Sequence, residues 1–314
     1  MYSFSWNLIN SAPSYAGRLG IYAILVFGGV ILSLPRAGEG WFKFVAITYP
    51  LIVIGALELI RRGIPYLLRI RENSLALLDS TEEKKALNEW WDKPNKREHI
   101  IWCFSIGVFL AGMSLVFTGN TQWSRYTDAI GIFYIGFIFG DVSRLLYRVP
   151  VGMSQLKKCH PKLNPINPAC TISLQVLAEA AFTLGIGTGM SLLAINTIVA
   201  TASYIYSHLS LGIYLLSLIA WVIITCLVVY PHFVLWELSK KRKQKTLKEL
   251  ERVIFEQYEN VINGNKAHST IEDTVKLFNQ VQSSKSFPIS YSGIFGTTTT
   301  LILNIVPMAI GFFR

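Results

Sequence analysis

The sequence predicts an all-α, polytopic membrane protein with about seven transmembrane helices and a cytoplasmic helical hairpin. Two observations support this fold class. Of the 314 residues, 52% are hydrophobic and only 15% are charged, whereas soluble proteins carry about 25% charged residues. The apolar residues also form uninterrupted runs that approach the roughly 20 residues a helix needs to cross a bilayer. This pattern excludes a soluble enzyme, a disordered chain and a disulfide-stapled secreted domain.

Seven apolar runs follow one another along the chain. The first is short and ends at Pro35, but no small-residue cleavage motif follows it, so we do not predict a signal peptide. The last run ends one residue before the C-terminus. The predicted spans cover residues 19–34, 41–60, 100–117, 129–146, 172–200, 211–230 and 289–313.

Basic residues predict the orientation of these spans. The 29 Lys and Arg residues give a net charge of +10, but no run interleaves them with aromatic residues on a polar face, so we do not predict nucleic-acid binding. They are concentrated in alternate loops, 61–99, 147–171 and 231–288, which the positive-inside rule places in the cytoplasm. The N-terminus is then cytoplasmic, in the plasma (inner) membrane, and the basic loops are expected to contact anionic lipid headgroups.

Two of the cytoplasmic loops contain helices of their own. In loop 61–99, Ser80 and Glu83 form a capping box that opens a short helix. This helix ends at Trp90 and Trp91, which are expected to lie at the headgroup level. After the sixth span, apolar residues at three- and four-residue steps predict a helix that continues into the cytoplasm, followed by a second helix. The chain is thus divided into spans one to six (residues 1–233), a hairpin (234–287) and a final transmembrane helix (288–314).

Four ionisable side chains lie within the predicted spans, where charge is costly and marks a functional site or a buried pair. They are Glu58, Asp141, Arg144 and Glu179. From the rise of 1.5 Å per residue, all four lie roughly 3–12 Å below the cytoplasmic boundary. One interpretation is an inner polar pocket in which Asp141 and Glu179 accept a cation or proton and Arg144 is the gate or a counter-ion. The other is structural: Arg144 pairs with Asp141 or Glu179, and Glu58 with the two arginines that follow its span.

Small and polar residues recur along one side of the last span. Thr297, Thr300 and Asn304 are the candidates to line a pore, although the same stripe also suits close helix packing. In the fifth span, residues 183–187 (Thr-Leu-Gly-Ile-Gly) are similar to the filter of potassium channels. The loop before this segment is predicted to be cytoplasmic and the apolar run continues after it, so helix packing is the alternative here too.

No catalytic constellation is present in the sequence, so we predict neither an enzyme nor a cofactor. The five histidines are scattered over different loops. A metal site built from Cys159, His160 and Cys170 is an alternative left open, although the paired spacing of a zinc ribbon is missing. In a cytoplasmic loop, the two cysteines are not expected to form a disulfide.

The layout of seven spans, with a cytoplasmic N-terminus, an outer C-terminus and a cytoplasmic helix before a polar last span, resembles that of insect chemoreceptor-type ligand-gated ion channels. The resemblance covers the topology of the whole chain. It implies a tetramer whose pore is lined by residues 288–313, with the preceding cytoplasmic helices as the anchor. The aromatic signature of that family's last helix is not found in this sequence.

Two functions follow from these observations. The first is an integral membrane ion channel or small-ion transporter, homo-oligomeric, with the last span lining the path. The alternative is a non-transporting membrane scaffold or stress-response module. In that case the hairpin recruits a cytosolic protein, and the buried charges only fix the packing of the helices.

Overall fold

The protein is described by a computed structural model over residues 3–33, 39–92, 96–117, 122–206, 211–263 and 268–285. The regular elements within these segments are helices, which confirms the all-α prediction for this part of the chain. They are α1 (Phe4–Ser11), α2 (Tyr15–Ser33), α3 (Glu39–Ala76), α4 (Thr81–Asp92), α5 (Lys96–Phe117), α6 (Gln122–Lys158), a 3-10 turn (Pro168–Cys170), α7 (Ile172–Tyr206), α8 (Leu211–Ile262) and α9 (His268–Ser283).

Three of these helices are long and apolar enough to cross a membrane. The apolar stretches are Tyr15–Leu32 in α2, Ala129–Lys158 in α6 and Ile172–Gly189 in α7. The second, third and sixth predicted spans lie in α3, α5 and α8, which are not among these three. The last predicted span lies outside the described residues. The total of seven spans and their orientation therefore stay predictions.

Three helices continue well beyond the predicted ends of their spans. The sequence predicted a loop from Arg61, but α3 runs on to Ala76 with Pro65 inside it. In the same way α6 continues past its predicted span to Lys158. Helix α8 continues past its span to Ile262, and for this helix alone the sequence predicted the continuation. The charged residues that end an apolar run are good helix formers, so hydropathy falls there while the helix continues.

Helix α4 packs against these extensions. The Arg71 guanidinium on α3 donates to the side chains of Asn88 at 2.7 Å and Asp92 at 2.6 Å. The Trp91 side chain is only 1% exposed, and its carbonyl accepts a hydrogen bond from Arg148 Nη1 on α6 at 2.9 Å. Protein therefore covers the Trp91 side chain instead of leaving one edge exposed, while the expected depth of Trp90 and Trp91 at the headgroup level stays a prediction.

Helices α8 and α9 lie antiparallel. Near the end of α9, Lys243 Nζ donates to the carbonyl oxygens of Gln282 at 2.8 Å and Ser284 at 2.6 Å. Further along α8, the Thr274 hydroxyl donates to Gln257 Oε1 at 3.1 Å. These contacts join the two helices that the sequence assigned to a hairpin.

Helices α5 and α6 form an antiparallel pair whose backbones touch. Gly136 and Gly140, four residues apart on α6, face α5. A Cβ atom at Gly140 would lie 2.5 Å from Cys103 Cα, and one at Gly136 would lie 2.9 Å from Gly107 Cα. Small residues at this spacing allow helices to approach closely, as in membrane helix dimers.

The substitution G140A is expected to lower the free energy of unfolding by about 1–3 kcal/mol, because the added methyl group overpacks the site and the backbone of one helix has to move away. The blocking atom belongs to the main chain of Cys103 and cannot rotate away. Thermal unfolding in detergent measures the effect. G112A on α5 is the matched control, since a Cβ atom there meets nothing within 4 Å. Equal unfolding midpoints for the two variants would contradict the close approach.

Candidate functional site

The carboxylate of Asp141 lies at the centre of a buried group of hydrogen bonds. Asp141 is 0% exposed. Its Oδ2 accepts from the Ser3 hydroxyl and the Ser5 N–H, both at 2.8 Å. Its Oδ1 accepts from the Phe4 N–H at 3.1 Å and is 2.8 Å from His99 Nε2. We call Ser3, Phe4, Ser5, His99 and Asp141 the Asp141 centre.

The Asp141 centre joins the first residues of the chain to α5 and α6. Ser3 is the N-cap of α1, and its hydroxyl oxygen also accepts the Trp6 N–H at 3.2 Å. The positive N-terminal end of α1 therefore points at the Asp141 carboxylate, an arrangement that stabilises an anion. Each oxygen of the Asp141 carboxylate has two hydrogen-bond partners, so the centre holds three helices together. The acceptor positions of the carboxylate are therefore already taken by protein groups.

The other predicted residues do not share contacts with Asp141 in the described part of the chain. Glu58 forms ion pairs at 2.6 Å with Arg61 and with Arg62 on its own helix, as the structural interpretation expected. Arg144 pairs with neither Asp141 nor Glu179. Its guanidinium lies 3.3 Å from a Glu98 carboxylate oxygen and 5.5 Å from the centre of the Trp102 ring. The structure thus places the four residues at separate positions.

Glu179 belongs to a line of polar residues on the outer side of α7. Glu179, Thr183 and Gly187 are exposed, and Gln175 and Ser191 are half-buried. These five residues, four positions apart, form what we call the α7 ridge. The opposite side of the helix is the buried one, with Leu174, Leu177 and Ala178 at 0% exposure. The polar side of α7 therefore faces away from the helices that bury its other side, although it lies in an apolar stretch long enough to cross a membrane.

The α7 ridge offers oxygen acceptors. The Thr183 hydroxyl donates to the Glu179 carbonyl and the Ser191 hydroxyl donates to the Gly187 carbonyl, each at 2.9 Å. Because each hydroxyl donates its hydrogen to a backbone carbonyl of the helix, the lone pairs of the hydroxyl oxygen remain free to accept hydrogen bonds or to bind a cation. Together with the Glu179 carboxylate they form a surface suited to cations. Facing this surface to hydrocarbon is costly, so water or protein is its expected neighbour.

The similarity of residues 183–187 to a potassium filter does not extend to the backbone. The segment lies inside the continuous helix α7, whereas a filter needs carbonyl oxygens that are free to replace an ion's hydration shell. Gly185 and Gly189 are buried and Gly187 is exposed. The two buried glycines fit the alternative of close helix packing.

The alternative of a metal site at Cys159, His160 and Cys170 is not supported. No group of three His, Cys, Asp or Glu side chains with metal-binding geometry occurs in the described segments. Cys159 Sγ lies 3.5 Å from the Gln155 carbonyl, while His160 Nδ1 lies 3.0 Å from Glu83 Oε1. Cys170 is exposed.

The two loop cysteines are expected to differ in reactivity towards thiol reagents. Burial, together with the nearby Glu83 carboxylate, raises the pKa of the Cys159 thiol, and the thiolate is the reactive form. At pH 7.5 a maleimide should therefore modify Cys170 much faster than Cys159. The ratio of the Cys159 rate to the Cys170 rate should increase as the pH rises. Mass spectrometry of the modified peptides measures both rates, and C170S is the control. Faster modification of Cys159 than of Cys170 at pH 7.5 would contradict this account.

Sequence reasoning missed the roles of Ser3 and His99. A usable signal was the short connection between the third and fourth predicted spans, which makes them antiparallel neighbours. In such a pair, a residue of one helix lies opposite the residue of the other helix for which the sum of the two residue numbers is about constant, as for Cys103 and Gly140. The same rule places His99 beside Asp141. No comparable signal pointed to Ser3, because its contact with Asp141 is set by the tertiary fold.

Comparison with known protein families and with characterised proteins finds no match. Over the described residues the fold is all-helical, and three apolar helices in this part of the chain support a place in a membrane.

Proposed function

We propose that the protein is an integral membrane ion channel or small-ion transporter, and that the α7 ridge lines its path. One observation carries the proposal: Glu179 is exposed in a helix stretch apolar enough to cross a membrane. Ionisable residues at such positions face a water-filled path or the interior of a bundle. The acceptor character of the ridge favours a cation as the ion.

The other side of the path is assigned to residues that the sequence singled out. The last predicted span carries Thr297, Thr300 and Asn304 on one side, and these polar groups complement the α7 ridge. We propose that this span and the ridge meet across the path in a homo-oligomer. The N-terminus then lies in the cytoplasm, with the protein in the plasma (inner) membrane.

The Asp141 centre has a supporting role in this proposal. It fixes α1 to the beginning of α5 and the middle of α6 through four hydrogen bonds. Since its carboxylate oxygens are occupied by protein donors, Asp141 is a positioning residue and Glu179 is the ion-binding candidate. This separates two acidic residues that one interpretation of the sequence placed in a shared pocket.

A second candidate function is the membrane scaffold, and one observation favours it. On the far part of α8, Phe255, Tyr258 and Ile262 are exposed by 65%, 60% and 71%. Their spacing of three and four residues places them on one side of the helix. An exposed apolar side of this kind suits binding to another protein.

Ion flux into proteoliposomes tests the proposed transport. The purified protein is reconstituted and given potassium, sodium, proton or chloride gradients in turn. We expect flux of a cation, and E179Q should reduce it while assembly is retained. E98Q is the control, because Glu98 lies outside the ridge and pairs with Arg144. Absence of flux with every gradient, from folded protein of either orientation, would contradict transport and favour the scaffold.

A further inference from the structure

One side of α8, beyond its predicted span, carries buried polar atoms that have no hydrogen-bond partner among the residues that the structure describes. They are Ser239 Oγ, Arg242 Nε and Thr246 Oγ1. Ser239 is 0% exposed and Thr246 is 8% exposed, while Arg242 is half-buried. Spacings of three and four residues place all three on the same side of the helix. Most buried polar groups in proteins are paired, so three orphans on one side call for a partner.

The surroundings of Arg242 are strongly basic. Residues 240–245 include five Lys or Arg and no acid. The nearest preceding carboxylate, Glu237, is already engaged by Lys157 at 2.6 Å and Lys241 at 2.9 Å. These two ammonium groups hold the pKa of Glu237 below its usual value. Glu237 is therefore engaged by lysines and is not the partner of Arg242.

The other basic side chains of this segment have partners. Lys240 lies 4.7 Å from the centre of the Trp236 ring. Lys243 is bonded to carbonyl oxygens at the end of α9, and Lys245 lies 4.0 Å from Glu249. Within this segment, Arg242 is thus the basic residue with no partner among the described residues.

We propose that Arg242 and Ser239 form a binding site for a phosphate group. An arginine fork donates two parallel hydrogen bonds to phosphate oxygens, and the Ser239 hydroxyl adds a donor three residues before it on the same side of the helix. The Arg242 side chain is half-buried, so the phosphate approaches it from the part that remains exposed. Excess positive charge along residues 240–245 attracts the anion to the site.

The position of the site along α8 suits a lipid headgroup. Lys157, at the end of the apolar stretch of α6, meets Glu237. Arg242 lies five residues further, which is about 8 Å along a helix. A lipid phosphate at the membrane surface and a soluble phosphate are therefore both sources of the same chemistry, and the experiment has to distinguish them.

Equilibrium binding to the full-length protein in neutral detergent tests the site. The probes are dioctanoyl phosphatidylglycerol, dioctanoyl phosphatidylcholine and inorganic phosphate, and the variants are R242Q, S239A and the control K245Q. K245Q removes the same charge from an exposed lysine. We expect R242Q to weaken phosphatidylglycerol binding about tenfold through the loss of a charge-assisted pair. S239A should weaken it about threefold through the loss of one hydrogen bond, and K245Q by less than either.

Each outcome bears on the proposal. Preference for phosphatidylglycerol with this order of variants supports a lipid headgroup, and saturation by inorganic phosphate with the same order supports a soluble ligand. Equal losses in R242Q and K245Q would overturn the site in favour of diffuse attraction to the basic segment. Parent-like binding by S239A would overturn it as well, and this variant decides the matter if R242Q does not fold. Binding is measured without flux, so the result is independent of the proposed transport.

Discussion

The variant D141N is expected to unfold more easily than the parent by about 3–5 kcal/mol, the cost of removing one partner from a buried charged group. Four donors converge on the two carboxylate oxygens of Asp141. An asparagine offers one acceptor oxygen and places an NH2 group against the remaining donors. The N-terminal end of α1 and the His99 ring would then lose their anion, and α1 should detach from α6.

Two measurements check this expectation. Thermal unfolding in detergent reports the loss of stability, and limited proteolysis near residue 12 reports release of α1. E98Q is the control. The Glu98 carboxylate is largely exposed and its partner Arg144 is partly exposed, and exposed ion pairs contribute at most about 1 kcal/mol. An unfolding midpoint of D141N equal to that of E98Q would show that the Asp141 centre does not hold α1.

The second large effect is expected from reversing the charge of the α7 ridge. E179K should reduce cation flux at least about tenfold, because a fixed positive charge in a narrow path repels cations where water screens them poorly. Chloride flux should be unchanged or increased. The readout is flux into proteoliposomes under potassium and chloride gradients.

The control for charge reversal is E89K. Glu89 is exposed on α4, away from the ridge, and takes the same change of charge. If E179K and E89K conduct like the parent, Glu179 does not face the ion path. If both lose flux equally, the effect belongs to the net charge of the protein.

The helices could be predicted from the sequence, but not all their ends. Apolar runs predicted the positions of α2, α5 and α7, whereas α3 continues past Arg61 to Ala76 and α6 continues past its predicted span to Lys158. Hydropathy measures preference for lipid, and the helix is stabilised instead by backbone hydrogen bonds and by packing of its continuation. The burial of Trp91 escaped prediction for a related reason: an aromatic residue near a membrane surface and one packed under Arg148 look the same in the sequence.

The candidate site could be predicted only in part. Ionisable residues within spans were visible, but their partners depend on which helices are neighbours. Asp141 is bonded to Ser3, 138 residues away along the chain, and no local pattern encodes such a contact. The polar side of α7 was likewise invisible as a ridge, because the outward direction of Glu179 is defined only once the buried side of the helix is known.

Water accessibility of the α7 ridge in the intact membrane tests the central claim most directly. A cysteine is introduced at Thr183, on the ridge, or at Phe104, an apolar residue of α5 that is 56% exposed, in a background with Cys170 replaced by serine. The account predicts rapid reaction of T183C with a charged, membrane-impermeant thiosulfonate, loss of flux on modification, and little reaction of F104C. If T183C is as unreactive as F104C, the ridge faces lipid or packed protein, and no ion path runs along it.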